Sequence, residues 1–572
     1  MAQLSFSEKL RITAITVERR RRGLLSRALG LPGVRPRYGA RRIDQLLIVP
    51  PDLRQSDPSF WYEIQHGHFG LAGTVVVVDD ASPFDVPPPN RPWVRSLHGF
   101  SWLRHLAAAG DAEAGDTARQ LALEWIMRYG VEHHGTVAWN PDIVARRIIS
   151  WITQSSILLE GADERGYDTI TRSLGAQLVY LSSAWREAPA GYPRLLATTA
   201  LLLADLSISG RDSRIDADLQ LFNSTLSRQI LSDGGHVSRN ARLLVDVLLD
   251  VLPLKECFRA RGRPQPQDLA KAIAAMIDML RAQRLGDGLL ARFNGVGVAQ
   301  QSSLATVLAY GDFVGPPPEN PPAWTGPSGY VRIARNGTVV FADCGAAPPL
   351  EMAGEAQAGC LSFELCSGDT LIVSNGGMPG ATHADWIAAA RSTASHNALV
   401  LGETSSSRLV ASASLESLLG QAPIRGPDDV RSATREGADG SAIVEASHNG
   451  YLAAHGVLHH RRIALEADGR RVVGIDRLKP RSGTLRLKRD VPFSIHFHLH
   501  PGVECRLADK VGAVIIEAGD QRWRMAAEGA RLGIEESIHF AATAGPLVAL
   551  QVVLRGATFG ETEVRWALTR ID

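Results

Sequence analysis

The feature that most constrains this chain is a change of hydrophobic period at a proline-rich break. Between 96 and 312, apolar residues recur at helical spacing, as in Ala118–Tyr129, Val144–Leu158, Leu174–Trp185, Arg194–Leu206, Ala241–Leu252 and Leu269–Leu285. After FVGPPPENPPA (313–323) the period becomes two, as in Tyr330–Ala334, Ala442–Ala446, Val472–Ile475, Phe493–Leu499 and Leu547–Leu554. Amphipathic helices and half-buried strands need different covering layers, so the break predicts two separately cored halves.

Gly110, Gly130, Asn140-Pro141, Gly161, Gly191-Tyr192-Pro193 and Asp233-Gly234-Gly235 interrupt the helical half at short intervals. That punctuation predicts stacked helical hairpins with a concave face suited to a long polymer. No fixed repeat period is visible, which argues against standard helical-repeat arrays. The second half reads as a large antiparallel β-sandwich. No alternation of strands and helices is present, which excludes a doubly wound dinucleotide fold. The expected division is a mixed segment 1–95, a helical domain 96–318 and a β-sandwich 319–572. Within the first segment, Arg19 to Arg22 read as a solvated basic helix face, 73–79 as a buried strand and 83–92 as a proline-punctuated linker.

Sixty-one basic and 60 acidic side chains give a net charge of +1, which argues against a dedicated nucleic-acid binder. The five cysteines contain no CxxC pair, so neither a cysteine zinc site nor a disulfide scaffold is expected. No run is apolar enough to span a bilayer, and the N-terminus lacks the pattern of a cleavable leader.

Four polar constellations carry candidate chemistry. His396-Asn397 enters an apolar strand, where an imidazole can ligate metal or simply hydrogen-bond. His448, Tyr451, His455, His459 and His460 crowd into thirteen residues. A tyrosine beside histidines suits general acid or base work if a cation lowers its pKa; the alternative is a polar hairpin. In HFHLHP (496–501), His496, His498 and His500 share a strand face and suit a metal or internal hydrogen bonds. ILSDGGHVSRN (230–240) presents His236, Arg239 and Asn240 after a Gly-Gly turn, partners suited to a carboxylate, or else a helix cap at Ser238. Trp139, Arg146 and Arg147 form an aromatic and basic cluster, with Trp139 the better placed for exposure and sugar stacking. GDGLLARFNG (286–295) is glycine-rich but offers only a weak phosphate loop, and no P-loop or GxSxG elbow occurs.

The order DGGHVSRN, RFNG, GCLSFELCSGDTLIVSNGG, RSTASHNALVL, SHNGY, GVLHHRRI and FHLHPGV resembles the heparinase II/III-like polysaccharide lyases over residues 96–560. The resemblance implies an (α/α) toroid packed on an antiparallel β-sandwich, with the site between them. It implies β-elimination of a uronate-containing glycan, with Tyr451 as acid/base and His236, Arg239 and Asn240 facing the carboxylate. Trp139, Arg146, Arg194 and His448 would bind substrate. His396 and His459 match metal-ligating positions, which implies zinc, and no organic cofactor is expected. Ala394 stands where characterised lyases carry histidine, and Tyr192-Pro193-Arg194 replaces their Asn-His pair. The partner class is an acidic polysaccharide. Family precedent places such proteins in the periplasm or cell envelope, with the cytoplasm open for lack of a leader. Alternatives are a non-catalytic glycan-binding or exopolysaccharide-biosynthesis-associated protein on the same fold, and a glycoside hydrolase using Glu364 and Asp385.

Overall fold

A computed structural model describes residues 6–29, 43–79, 81–130, 136–298, 301–311, 320–410, 423–481, 490–508, 512–558 and 561–572. Residues 313–319 of the expected hinge, and with them the 318/319 boundary, lie outside the described residues.

The helical half is a two-layered toroid. Three helices form its inner layer: Pro141–Thr153, Tyr192–Ser207 and Ala241–Ala260. Every residue from Leu195 to Ser207 is buried, as expected for a helix apolar on all sides and covered by others. Ala112–Tyr129, Glu164–Ala184, Ile215–Ser227 and Gln267–Gln283 bury one face each and form the outer layer. Polar side chains start several of these helices: Asn90 caps Trp93 N, Asp111 caps Glu113 N and Asp163 caps Gly166 N. Asn90 lies within the proline-rich stretch 83–92, which therefore runs directly into a helix at Arg91.

Three antiparallel sheets build the second half. A five-stranded meander runs through Trp324–Thr325, Tyr330–Arg335, Thr338–Asp343, Phe363–Ser367 and Thr370–Val373. Its first tight hairpin turns on Asn336-Gly337, both at positive φ, the geometry of a two-residue β-hairpin loop. An eight-stranded sheet extends from Glu504–Ala508 to Val430–Glu436, with Arg471–Pro480 between Thr562–Arg570 and Val457–Leu465. A four-stranded sheet joins Arg531–His539, Leu547–Thr558, Val491–His498 and Leu399–Leu401. One aromatic trio ties all three together: Trp566 stacks on Phe363 at 5.5 Å and meets Phe497 edge-on at 4.9 Å.

The run 73–79 does not form a buried strand. Thr74–Val77 pairs with His68–Leu71 as an isolated hairpin, and Val75 and Val77 are more than half exposed because no layer covers that face. The continuous apolar run Val75–Val78 does enter a strand, but a two-stranded ribbon buries only one side. Among the described residues no helix is long and apolar enough to cross a membrane.

Candidate binding cleft at the domain seam

The loop Ser232–Asn240 ends where the toroid meets the sandwich. Arg239 adopts the left-handed conformation (φ 64°), which turns its side chain away from its own helix. The guanidinium enters the sandwich. It donates from Nε to Ser328 O (2.9 Å), from Nη1 to Gly345 O (3.1 Å) and from Nη2 to Asp343 Oδ1 (2.5 Å). Asn294 donates to the second Asp343 oxygen at 3.0 Å, and Tyr330 OH donates to Arg239 O. Asn240 caps the next helix at Arg242 N and donates to Glu355 Oε2 at 2.5 Å. Asn240, not Ser238, is therefore the cap. Neither Arg239 nor Asn240 faces a substrate groove; both are spent joining the two halves.

His236 is equally committed. Ser238 N–H and Oγ lie on Nδ1, which accepts, so Nε2 carries the proton and donates to Gln229 Oε1 at 3.1 Å. Burial lowers its pKa to about 4. Tyr451 is fully buried, its hydroxyl donating to Leu399 O, and burial pushes its pKa up, opposite to the direction acid/base work needs. Tyr451 bonds Leu399 and His236 bonds Ser238 and Gln229, so among the described residues the expected meeting of phenol and imidazole across a crevice is not formed.

The histidine-rich hairpin is a buried chain with assigned protons. Gly450 N–H donates to His448 Nδ1 (2.9 Å), so His448 Nε2–H donates to His459 Nδ1 (3.2 Å) and His459 Nε2–H donates to Asp476 (2.6 Å). Arg461 and Trp566 Nε1 complete Asp476. Burial works against the charge on Asp476, yet Arg461 and His459 hold its carboxyl well below the usual range. Both nitrogens of His459 are thus occupied, and His448 lines no sugar site. His396 donates from Nδ1 to Ser392 O (2.7 Å), and its buried Nε2 has no hydrogen-bond partner among the described residues. Among the described residues no hydrogen bond links His396 to His459. Among the described residues no group of three or more His, Cys, Asp or Glu side chains can hold a metal, so the residues do not fit the zinc the resemblance implied.

The remaining expected binding residues are structural too. Trp139 is buried in a short 3-10 turn, its indole donating to Tyr129 O, because the loop folds back on the aromatic core. Arg147 is fully buried over the Trp125 ring at 3.9 Å. Arg194 donates to Arg186 O and Ala188 O. Arg146 makes a paired contact with Asp250 (2.7 and 2.8 Å) and reaches Tyr192 OH (2.7 Å). The hydrolase pair is not formed: Glu364 is fully buried against Asn375 N and Arg292 N, while Asp385 is exposed.

What the seam does contain is a cleft of about 870 Å3. Arg54, Arg104 and Asp246 line it from the helical side, and Arg292, His500 and His539 from the other. Arg54 is anchored on Asp250 (2.7 Å), whose carboxyl Arg146 and Arg54 hold low in spite of burial. Arg104 reaches Asp52 at 3.3 Å. Arg292 lies in the RFNG segment, and His500 follows the strand Val491–His498, whose His496 and His498 stack in parallel on one face at 5.8 Å and hydrogen-bond internally to Gln551 and Ser537. The shared face expected for HFHLHP is therefore real for the first two histidines, while the third emerges in the cleft. His539 had no sequence signal, since its place depends on a strand distant in the chain.

A toroid on a three-sheet sandwich, with a polar cleft at the seam, is the arrangement these residues build. Residues 317–567 match the family described as Heparinase II/III-like, C-terminal. Over nearly its whole length it is similar to FtsZ-localized protein C of Caulobacter vibrioides, 29% identical across 93% of this chain and 91% of the relative. Among solved structures it resembles heparinase III (TM-score 0.72, 12% identity, covering 94% of this chain and 89% of that one). It also resembles a heparan sulfate lyase HepC mutant of Pedobacter heparinus (TM-score 0.64, 15% identity, 94% and 87% covered). At those identities the structural likeness establishes the fold.

Proposed function

We propose that this protein binds an acidic glycan in the seam cleft of a lyase fold, without elimination chemistry at Tyr451 and His236. The observation that carries the reading is the concentration of Arg54, Arg104 and Arg292 on facing walls where the toroid meets the sandwich. A cleft of this size and polarity accommodates sugar units, and fixed guanidinium groups suit carboxylates. The test is incubation with a panel of uronate polymers, recording both binding and absorbance of unsaturated uronate. Binding without a rise in absorbance is expected. A rise would restore the lyase reading, and no binding to any polymer would sink the glycan reading.

A second reading rests on similarity along nearly both full lengths to a protein whose name places it with FtsZ. It is association with FtsZ assemblies. Co-sedimentation with purified FtsZ polymers tests it; a protein that stays in the supernatant rejects it.

A further inference from the structure

We propose that the open edge of the hairpin strand Thr74–Val77 pairs with the same edge of a second copy of this chain. None of these residues lines the seam cleft, and the inference is independent of what that cleft holds.

The hydrogen-bond phase of the hairpin fixes what its edge presents. Ala72 and Gly73, both at positive φ, form a two-residue loop, so Leu71 and Thr74 face each other as a bonded pair. At the far end Val78 N–H donates to Gly67 O at 2.7 Å, which agrees with that phase. Bonded pairs therefore alternate: Leu71 with Thr74, Phe69 with Val76, Gly67 with Val78. Val75 and Val77 fall between them, and their N–H and C=O groups point outward, where no group among the described residues meets them. Their side chains share one face and are 57% and 58% exposed. Phe60 and Trp93 pack on Phe69 of the inner strand His68–Leu71, which leaves Thr74–Val77 as the outer one.

This edge lacks the devices that keep sheets apart, which are charges, proline, bulges or a covering layer. The outermost strands Val430–Glu436, Glu504–Ala508 and Arg531–His539 each carry arginine and glutamate. Thr74–Val77 reads Thr-Val-Val-Val, without charge, proline or glycine, and stays in regular register with its neighbour.

The occupant follows from the symmetry of that edge. A two-fold axis at Val76 places Val75 opposite Val77 of the partner subunit, and each such antiparallel pair exchanges two hydrogen bonds. Every outward group of Val75 and Val77 is then met in both copies. The exposed valines meet on one face as cross-strand β-branched pairs. Gly73 falls opposite Asp79 of the partner subunit, so the flanking acid meets no like charge. A strand this short covers less than the roughly 1,600 Å2 of a standard interface, so the dimer is reversible and forms at high concentration.

The experiment is sedimentation equilibrium of the full chain from about 5 to about 500 µM, with amide hydrogen exchange read at both ends of the range. A monomer–dimer equilibrium is expected, with exchange at Val75 and Val77 slowed at least twofold at the upper end. Val75→Lys and Val77→Pro are each expected to weaken the dimer about tenfold. Val548→Lys, at a valine equally open to solvent on the strand Leu547–Thr558, is expected to leave it unchanged. Val77→Pro removes an N–H that serves no bond within the hairpin, a place where an edge strand tolerates proline. Its folding is checked by circular dichroism; if it fails to fold, Val75→Lys decides. A chain that stays monomeric throughout overturns the proposal, even if its edge accepts a strand from another protein. So does a dimer that leaves the Val75 and Val77 amides unprotected, or one indifferent to the folded edge variants.

Discussion

Arg239 of the toroid and Asp343 of the sandwich form a buried ion pair at 2.5 Å, with Asn294 closing on the other carboxylate oxygen. Removing one partner strands the other charge in a low-dielectric interior. Arg239→Met is therefore expected to destabilise the protein by about 3–5 kcal/mol, read as a shift of the urea midpoint. Asp343→Asn, which leaves an acceptor in place, should cost less.

Gly474 pairs with Trp566 across two strands, and a Cβ there would sit 2.0 Å from the indole ring. Trp566 cannot retreat, because Phe363 and Phe497 hold it on its other sides. Gly474→Ala should lower thermal stability by about 1–3 kcal/mol through overpacking, measured by calorimetry, while Gly502→Ala, a glycine with open space but φ of 88°, should cost about 1 kcal/mol from the backbone alone.

Tyr451→Phe removes the hydrogen bond to Leu399 O and the hydroxyl's contact with Thr393. Stability is expected to fall by about 1 kcal/mol in a denaturant titration, with glycan binding unchanged within twofold. A large loss of binding with intact folding would return the phenol to the site.

Burial lowers the pKa of His98, His236 and His396 to about 4 each, below the ordinary imidazole value of 6.5. The unfolded chain then takes up protons that the folded chain refuses. Stability is complete above about pH 6.5 and is lost as pH falls toward 4, each histidine contributing on the order of 2 kcal/mol by pH 5. Unfolding free energies between pH 8 and pH 5 check this. A flat profile would contradict the buried neutral assignment.

The division into a helical and a β half was legible because hydrophobic period is a local property, and its switch is sharp at the proline run. The strands around Ala442–Ala446, Val472–Ile475 and Leu547–Leu554 follow from alternation alone. The site was less legible because burial and hydrogen-bond pairing are long-range. His459 looks reactive beside Tyr451 in the chain, yet Asp476 on the next strand and His448 on the previous one consume both nitrogens. Arg239 resembles a carboxylate clamp until Asp343, over a hundred residues later, proves to be the carboxylate. Arg292 and His500 both lay in quoted motifs, but only the fold shows that they meet His539.

The same short loop supplies Arg239 and Asn240 to the sandwich and then begins the helix Ala241–Ala260, which carries Asp246 and Asp250 toward the cleft. One rivet thus fastens the opposing jaws at their root. Arg239 and Asn240 tie the helical half to the sandwich through consecutive positions of one loop.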